Sequence, residues 1–407
     1  MQKKLLKKTA FQERGQAKTV YVAMSGGVDS SVATALLKQQ GYNVTGVFMR
    51  PWSPEIRNTK YEIRNTNCMW QGDREDALRV ASTIGIPLLT WDFSKEYKKE
   101  VGDYMLREYK AGRTPNPDVM CNKEIKFGLF LKQALKEGAD YIATGHYVRL
   151  KTVISNSKLV IKDLKKLPIT NYQLHTAKDT NKDQSYFLWT LTQKQLKHCL
   201  FPIGNYTKPE VRKLAKKFGL PNHDKKDSQG VCFIGPLDMK DFLKKYIKPK
   251  SGNIIDMGGR IIGCHDGVYY YTIGQRHGLD IKNGQGPYYV TGKDIKKNII
   301  FVGKEKDLGG KEAKITAINW INPTWKLSFQ VKGSVEIDVK IRYRSKSEKA
   351  VLSKSIQQLK RSLELLNKNN ISENYRIKFL KPVRAITPGQ SAVFYRGQEM
   401  LGGGIIE

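Results

Sequence analysis

The chain is 407 residues long and carries 71 lysines and arginines against 38 aspartates and glutamates, a formal charge of +33 at neutral pH. At roughly 100–200 residues per domain that length suits two to four domains, and 40% hydrophobic residues make a globular composition rather than a disulfide-stapled scaffold. No stretch approaches the roughly 20 consecutive apolar residues of a membrane helix, so no membrane partner is expected.

The N-terminus, MQKKLLKKTAFQERGQAK, is basic but has neither a long apolar segment nor a small-residue cleavage site, so it is not a secretory signal. The expected compartment is the cytoplasm. A mitochondrial presequence is the weaker reading, because the segment is short, contains Glu13 and is not serine-rich. From there to about residue 145, apolar runs alternate with helical patterns. TVYVAM is followed by Val28, Val32, Ala35 and Leu36 at helical spacing, then NVTGVFM, REDALRVASTIG and IPLLTW. Two further helical stretches, at about 94–110 and 123–137, precede DYIATG. Strand, helix, strand repeated in this way predicts a doubly wound parallel sheet, which binds ligands at the carboxyl ends of its strands. Two segments look like surface insertions: 55–66, which repeats EIRNT, and 151–181, a polar connection with one hairpin. From about 240 the texture changes to short alternating strands with glycine-rich turns. A last block from about 310 adds AKITAINW and SVEIDVKIRYRSK, and a lysine-rich helical piece near 346–376 interrupts it. The expected organisation is an α/β domain over 1–238, a small mixed α+β domain over 239–308 and a C-terminal β-barrel over 309–407.

The first constellation is SGGVDSS, between the first strand and the first helix. Glycines there let backbone N–H groups approach an anion, and the helix N-terminus adds partial positive charge. Phosphate is the natural guest, against the plainer reading of a Gly-Ser helix cap. No G-x-x-x-x-G-K-[ST] occurs, so the loop has no lysine of its own for the β- and γ-phosphates. Backbone amides with the Ser25, Ser30 and Ser31 hydroxyls suit a departing pyrophosphate, and Asp29 is tolerable beside phosphates mainly through Mg²⁺.

The five cysteines, Cys68, Cys121, Cys199, Cys232 and Cys264, are odd in number and dispersed, with no C-x-x-C pair. That argues against a disulfide framework, and no zinc or cluster site is expected. Cys121 follows a Pro-Asn-Pro-Asp turn, expected to be rigid and exposed, at the foot of a helix starting near Asn122. The helix terminus, Lys123 and Lys126 should lower its pKa. Cys232, in DSQGVCFIG, follows a second turn. Two loop cysteines without metal-ligand neighbours suggest shared thiol chemistry, although a lone cysteine is more often inert core. The charge fits a polyanionic partner and, equally, an AT-rich coding sequence that favours lysine.

SGGVDSS resembles the PP-loop of the ATP pyrophosphatases. MSGGVDSS, TPNPDVMCNKEIKF, IATGHY, KDQSYFLW, DSQGVCFIG, TIGQRHGL and PVRAITPGQSAVFY together resemble the bacterial tRNA-specific 2-thiouridylases along nearly the whole chain. That resemblance implies that Ala23, Met24, Ser25, Gly26, Gly27, Val28, Asp29 and Ser30 hold ATP, with Met49 and Gly145 at its adenosine part. It implies that Asn116, Pro117 and Asp118 approach the target base. His146, Lys182, Asp183 and Gln184, with Arg342, Tyr343 and Gln390 of the β module, would contact tRNA. Cys232 would carry sulfur as a persulfide, and Cys121 would be the second catalytic thiol, forming a disulfide with Cys232 as sulfur is released. The implied partners are tRNAs for Lys, Glu and Gln and a persulfide donor, either a cysteine desulfurase or a sulfur-relay protein. Asp118 is also a candidate proton acceptor, and equally a turn former. His146, read without the family, is a satisfied structural histidine. A small-molecule PP-loop ligase would need neither cysteine, and a non-enzymatic RNA-binding protein would not need the loop.

Overall fold

The computed structural model describes residues 17–52, 70–155, 169–227, 239–354 and 375–407. Strands β1 (Thr19–Ala23), β2 (Asn43–Arg50), β3 (Leu88–Asp92) and β4 (Tyr141–Ala143) alternate with helices. Helix α1 (Val28–Gln39) follows β1, and α2 (Trp70–Ile84) precedes β3. Helical runs over 94–110 and 117–136 separate β3 from β4. Strands β5 (Val148–Ser155) and β6 (Ile169–Thr176) form an antiparallel hairpin, after which β7 (Cys199–Leu200) pairs with β4.

The sheet order is β3-β2-β1-β4-β7, all parallel. The chain winds outward from β1 to β3 and then crosses to β4 on the other side of β1, so the direction of winding reverses between β1 and β4. An open parallel sheet leaves a crevice at that point, outside the carboxyl ends of its strands. Both faces are covered, as parallel sheets require. Val20 and Val22 pack with α1, α2 and the helix Lys208–Lys217, through Val32, Val80 and Val211. Their neighbour Ala23 packs on the opposite face with Val47, Met49, Trp91 and Phe130.

A helix at Met239–Tyr246 opens the middle unit, a four-stranded sheet ordered β10-β11-β8-β9. Its strands are β8 (Gly252–Ile255), β9 (Ile261–His265), β10 (Tyr289–Asp294) and β11 (Ile299–Gly303). Its core is not its own: Met105 and Tyr109, from the helical run over 94–110, pack with Phe242, Ile254, Val290 and Val302.

The last unit contains β12 (Gly309–Trp320), β13 (Ser334–Lys340), β14 (Glu348–Lys354), β15 (Tyr375–Arg384), β16 (Ser391–Arg396) and β17 (Glu399–Ile406). They pair in the order β12-β15-β14-β13-β16-β17, and β17 returns to β12, which closes a six-stranded barrel. Closure removes the free edges that an open antiparallel sheet would expose. A helix at Pro323–Lys332, absent from the sequence reading, covers the barrel with Phe329 against Trp320 and Tyr375. Its signals are local: the Asn322 side chain accepts from Thr324 N at 2.9 Å, Pro323 takes the first helical position, and Gly333 ends it at φ 70°.

The hairpin expected within 151–181 is present, but its base is not a surface feature. Val148 and Leu174 are fully buried in the core of the α/β domain, and β6 pairs with β17 at Leu174 and Met400. Barrel and α/β domain therefore share a continuous ladder. The repeat at 55–66 and most of the insertion near 346–376 lie outside the described residues, as does 156–168. Leu174→Ala should lower stability by about 2–5 kcal/mol through the cavity it leaves. Val153→Ala, at a position 37% exposed in the same hairpin, should stay within about 0.5 kcal/mol; urea titration of both variants checks the contrast.

Candidate active site at the carboxyl ends of the sheet

The chain leaves β1 through Met24, Ser25, Gly26 and Gly27 and enters α1 at Val28. Gly26 has φ +73°, and a Cβ on it would stand 2.1 Å from the Asp73 carbonyl oxygen, so the turn closes over the start of α2 only with glycine. Ser30 Oγ accepts from Ser25 N at 3.2 Å, and the Ser30 and Ser31 hydroxyls donate to the Gly27 carbonyl at 3.1 and 2.8 Å. These bonds fix the shape of the loop, and the first-turn N–H groups of a helix have no partner within it. Gly145, just past β4, backs directly onto this turn: a Cβ there would lie 2.6 Å from Ser30 N. Neither glycine has room for a Cβ, so backbone packs directly on backbone around the loop, and the donors the loop offers are backbone amides and hydroxyls. That is a fit for phosphate. Met49, buried on β2, lies on the opposite face of the sheet from α1.

Asp29 does not stand alone in the first turn of α1. Its Oδ1 accepts from the Tyr147 hydroxyl and from Lys208 Nζ, each at 2.7 Å. Lys208 also meets Asp227 Oδ1 at 2.7 Å, and Asp227 is shared with Lys182 at 2.5 Å and Arg212 at 3.1 Å. Burial pushes the Asp227 carboxyl up, but the hydrogen bonds from Lys182 and Lys208 outweigh it and hold the pKa at about 2. Burial, and then Asp29, push the Tyr147 phenol well above its usual value, so it stays a donor. Asn222 reaches back from the same segment to the Gly26 carbonyl at 2.9 Å and Ser31 Oγ at 3.0 Å.

Tyr147, Lys208, Asp227 and Asn222 are therefore neighbours of the loop that the sequence reading missed. One signal was available: Thr207 and Glu210 form a capping box that makes Lys208 the first helical residue. A lysine there opposes the helix dipole unless carboxylates hold it.

The second part of the site is the loop before Cys121. Asn116 caps the helical run over 117–136, its Oδ1 accepting from Val119 N at 3.3 Å, and Pro117 takes the first position. The helix thus begins one turn earlier than expected, and Cys121 lies inside it at the start of a π-helical stretch, Cys121–Phe130. Such stretches recur at functional sites. Cys121 is fully buried, in the same core as Ala23, Met49 and Val119, which corrects the expectation of an exposed thiol. The reason is that the helical run starts at Pro117 and carries Cys121 into the core of the α/β domain.

Three units close on the loop before Cys121. Thr114 N donates to the Pro388 carbonyl at 2.9 Å, and Gln390 Nε2 donates to the Thr114 and Pro115 carbonyls at 2.9 and 3.2 Å. Gly389 lies so close that a Cβ would be 2.8 Å from Thr114 O, and the Thr114 and Thr272 hydroxyls meet at 3.1 Å.

The residues implied as RNA contacts hold the fold together in this conformation. Lys182 is paired with Asp227. Asp183 accepts from Ala177 N and Ser185 Oγ and faces Lys340 of the barrel at 3.5 Å. Gln184 exchanges two 2.9 Å hydrogen bonds with the Tyr147 backbone. His146 is buried beside Phe127 and Phe201, its Nδ1 2.8 Å from Thr144 Oγ1. Burial, reinforced by Lys126, pushes its pKa well down, so the ring is neutral. Arg342 donates to Ile273 O and Thr387 Oγ1, while its buried Nε has no partner. Tyr343 packs against Phe187 in a tilted pair, ring centroids 4.5 Å apart.

Cys232 lies outside the described residues, five positions beyond Asp227. No disulfide joins the described cysteines Cys121, Cys199 and Cys264, and no cluster of three metal-ligating side chains occurs among the described residues. No helix among them is long and apolar enough to cross a membrane.

This architecture is that of a HUP-domain protein with two β-rich appendages. Residues 18–236 match the family model described as tRNA methyl transferase HUP domain, 240–304 the tRNA methyl transferase PRC-barrel domain, and 311–406 the aminomethyltransferase beta-barrel domain. Full-length relatives narrow this. The tRNA-specific 2-thiouridylase MnmA of Lysinibacillus sphaericus is 42% identical over 95% of this chain and 94% of its own. Those of Pseudomonas paraeruginosa, 44% identical over 95% and 94%, and Bacillus licheniformis, 43% over 97% and 96%, are similar. The chain belongs to the tRNA-specific 2-thiouridylase MnmA family.

The depressed pKa of Asp227 sets an acid limit. With its carboxyl near 3.8 when unfolded and about 2 when folded, the stability it contributes is complete above the unfolded value. It is lost as pH falls from there through about 2. Acid unfolding followed by tryptophan fluorescence should therefore be less steep in that window for Asp227→Asn than for the wild-type chain.

Proposed function

We propose that the protein is a tRNA-uridine 2-sulfurtransferase. It adenylates the C2 carbonyl oxygen of the wobble uridine and replaces that oxygen with persulfide sulfur, giving 2-thiouridine, AMP and pyrophosphate. What supports this reading is the near-full-length likeness to tRNA-specific 2-thiouridylases, together with SGGVDSS at the turn from β1 into α1 and Cys121 in the same core as Ala23 and Met49. ATP supplies the activation, because a uracil C2 oxygen is otherwise a poor leaving group.

In this account residues 23–30 hold ATP, Met49 and Gly145 border its adenosine part, and Asp29 meets Mg²⁺. Asn116, Pro117 and Asp118 receive the base, which an anticodon loop can extrude at least cost. Cys232 carries the persulfide and Cys121 releases its outer sulfur by forming the Cys121–Cys232 disulfide, which a cellular thiol then reduces. The buried Cys121 fits this role if it is uncovered when RNA displaces part of the clamp. His146, Lys182, Asp183, Gln184, Arg342, Tyr343 and Gln390 join the RNA contact in that state. The +33 charge steers tRNAs for Lys, Glu and Gln to the site. A cysteine desulfurase or relay protein donates sulfur, and the cytoplasm, with its thiol reductants, is the place of action.

Methyl transfer, which two of the family descriptions mention, is the second reading. It has no use for a pyrophosphate cradle and two cysteines.

Pyrophosphate release from ATP separates these readings. It should depend on tRNA with a wobble uridine and persist in Cys121→Ser, since adenylation precedes sulfur transfer. Release without RNA would instead favour a small-molecule ligase, and no release under any condition would refute adenylation.

A further inference from the structure

The PP-loop contains no lysine, yet a lysine stands beside it. Lys208 comes from another part of the chain, 179 residues after Asp29, and its ammonium is held between Asp29 and Asp227 at 2.7 Å from each. Its side chain is only 11% exposed, where ordinary surface lysines such as Lys18 reach 62%. Three cations, Lys182, Lys208 and Arg212, share two carboxylates, Asp29 and Asp227. Asp179, which accepts from the Lys208 and Lys182 backbone N–H groups, brings a third carboxylate to the cluster, so the ammonium of Lys208 is held in place at the N-terminus of α1 rather than left free in solvent. Hydrogen bonds to Thr207 and Asp179 fix the start of the lysine's helix: Glu210 N donates to Thr207 Oγ1 at 3.4 Å, and Lys208 N donates to Asp179 Oδ2 at 2.8 Å. Such a group is expensive to bury without a purpose, and the network around it is too exposed to be mainly a source of stability.

We propose that Lys208 is the phosphate-binding lysine of this site: it contacts the β- and γ-phosphates of ATP in place of the lysine that a Walker-type loop carries within its own sequence. Asp227 is a positioning residue that keeps the ammonium aimed at the cradle, and Tyr147 holds Asp29 beside it. The inference rests on the reading of residues 23–30 as an ATP loop.

The test is equilibrium binding of ATP and of AMP, in the presence of Mg²⁺, to the full-length protein and its Lys208→Met and Lys208→Arg variants. A charge-assisted hydrogen bond lost from the outer phosphates should weaken ATP binding about tenfold or more. AMP, which lacks those phosphates, should bind Lys208→Met as it binds the wild type, and Lys208→Arg should recover part of the loss. Retained AMP binding also shows that the variant is folded. Unchanged ATP affinity in Lys208→Met overturns the proposal and leaves the ATP loop intact. Equal losses for ATP and AMP overturn it too, because they mean a distorted loop rather than a lost phosphate contact. A wild-type protein that binds neither nucleotide refutes the ATP reading itself.

Discussion

The fold turns on one short loop, Thr114 to Asp118, whose backbone is satisfied from outside its own domain. A loop buried between units must find partners for its N–H and C=O groups, and here the barrel supplies them through Pro388 and Gln390 while Thr272 of the middle unit meets the Thr114 hydroxyl. Each bond is worth about 1 kcal/mol net, so their sum is a modest part of stability. Their effect is positional: they set where Asn116 caps the helix and therefore where Cys121 stands. The barrel is also tied to the α/β domain by Tyr186 and Trp189, which donate to Ser391, and by the β6–β17 ladder.

The parallel sheet contributes the other fixed point. Reversal of winding between β1 and β4 sets Gly145 against Asp29 and Ser30 while Gly26 packs on Asp73, and neither position has room for a Cβ. The ionic network around Asp29 then does what a local sequence cannot, carrying charges from the segments around 182, 208 and 227 to one loop. It is a half-buried network in which pairing outweighs desolvation at Asp227, and it holds the Lys208 ammonium in one place beside Asp29.

The sequence was legible where structure is local. Alternating strand and helix periods revealed the parallel sheet, and S-G-G-V-D-S-S marked the turn from β1 into α1. The barrel could be anticipated from short strands and glycine turns. What could not be read was set by contacts distant in sequence. Cys121 appeared exposed because a Pro-Asn-Pro turn usually is, but residues 388–390 cover the start of that turn and Cys121 itself packs in the core of the α/β domain with Val119 and Ile125. Lys182, Asp183 and Gln184 carry no local sign that their partners are Asp227, Lys340 and Tyr147. The helix Pro323–Lys332 is the exception, since its Asn-Pro start and glycine end were visible and were passed over among strands.

The central claim is that these parts together place sulfur on a tRNA uridine. The most direct measurement incubates the protein with ATP, Mg²⁺, a persulfide donor and unmodified tRNA bearing a wobble uridine, then examines the digested RNA by mass spectrometry. The account predicts 2-thiouridine with the wild-type chain and its loss with Cys121→Ser or Cys232→Ser. RNA-dependent AMP formation without 2-thiouridine, or full thiolation by the double cysteine variant, would contradict it.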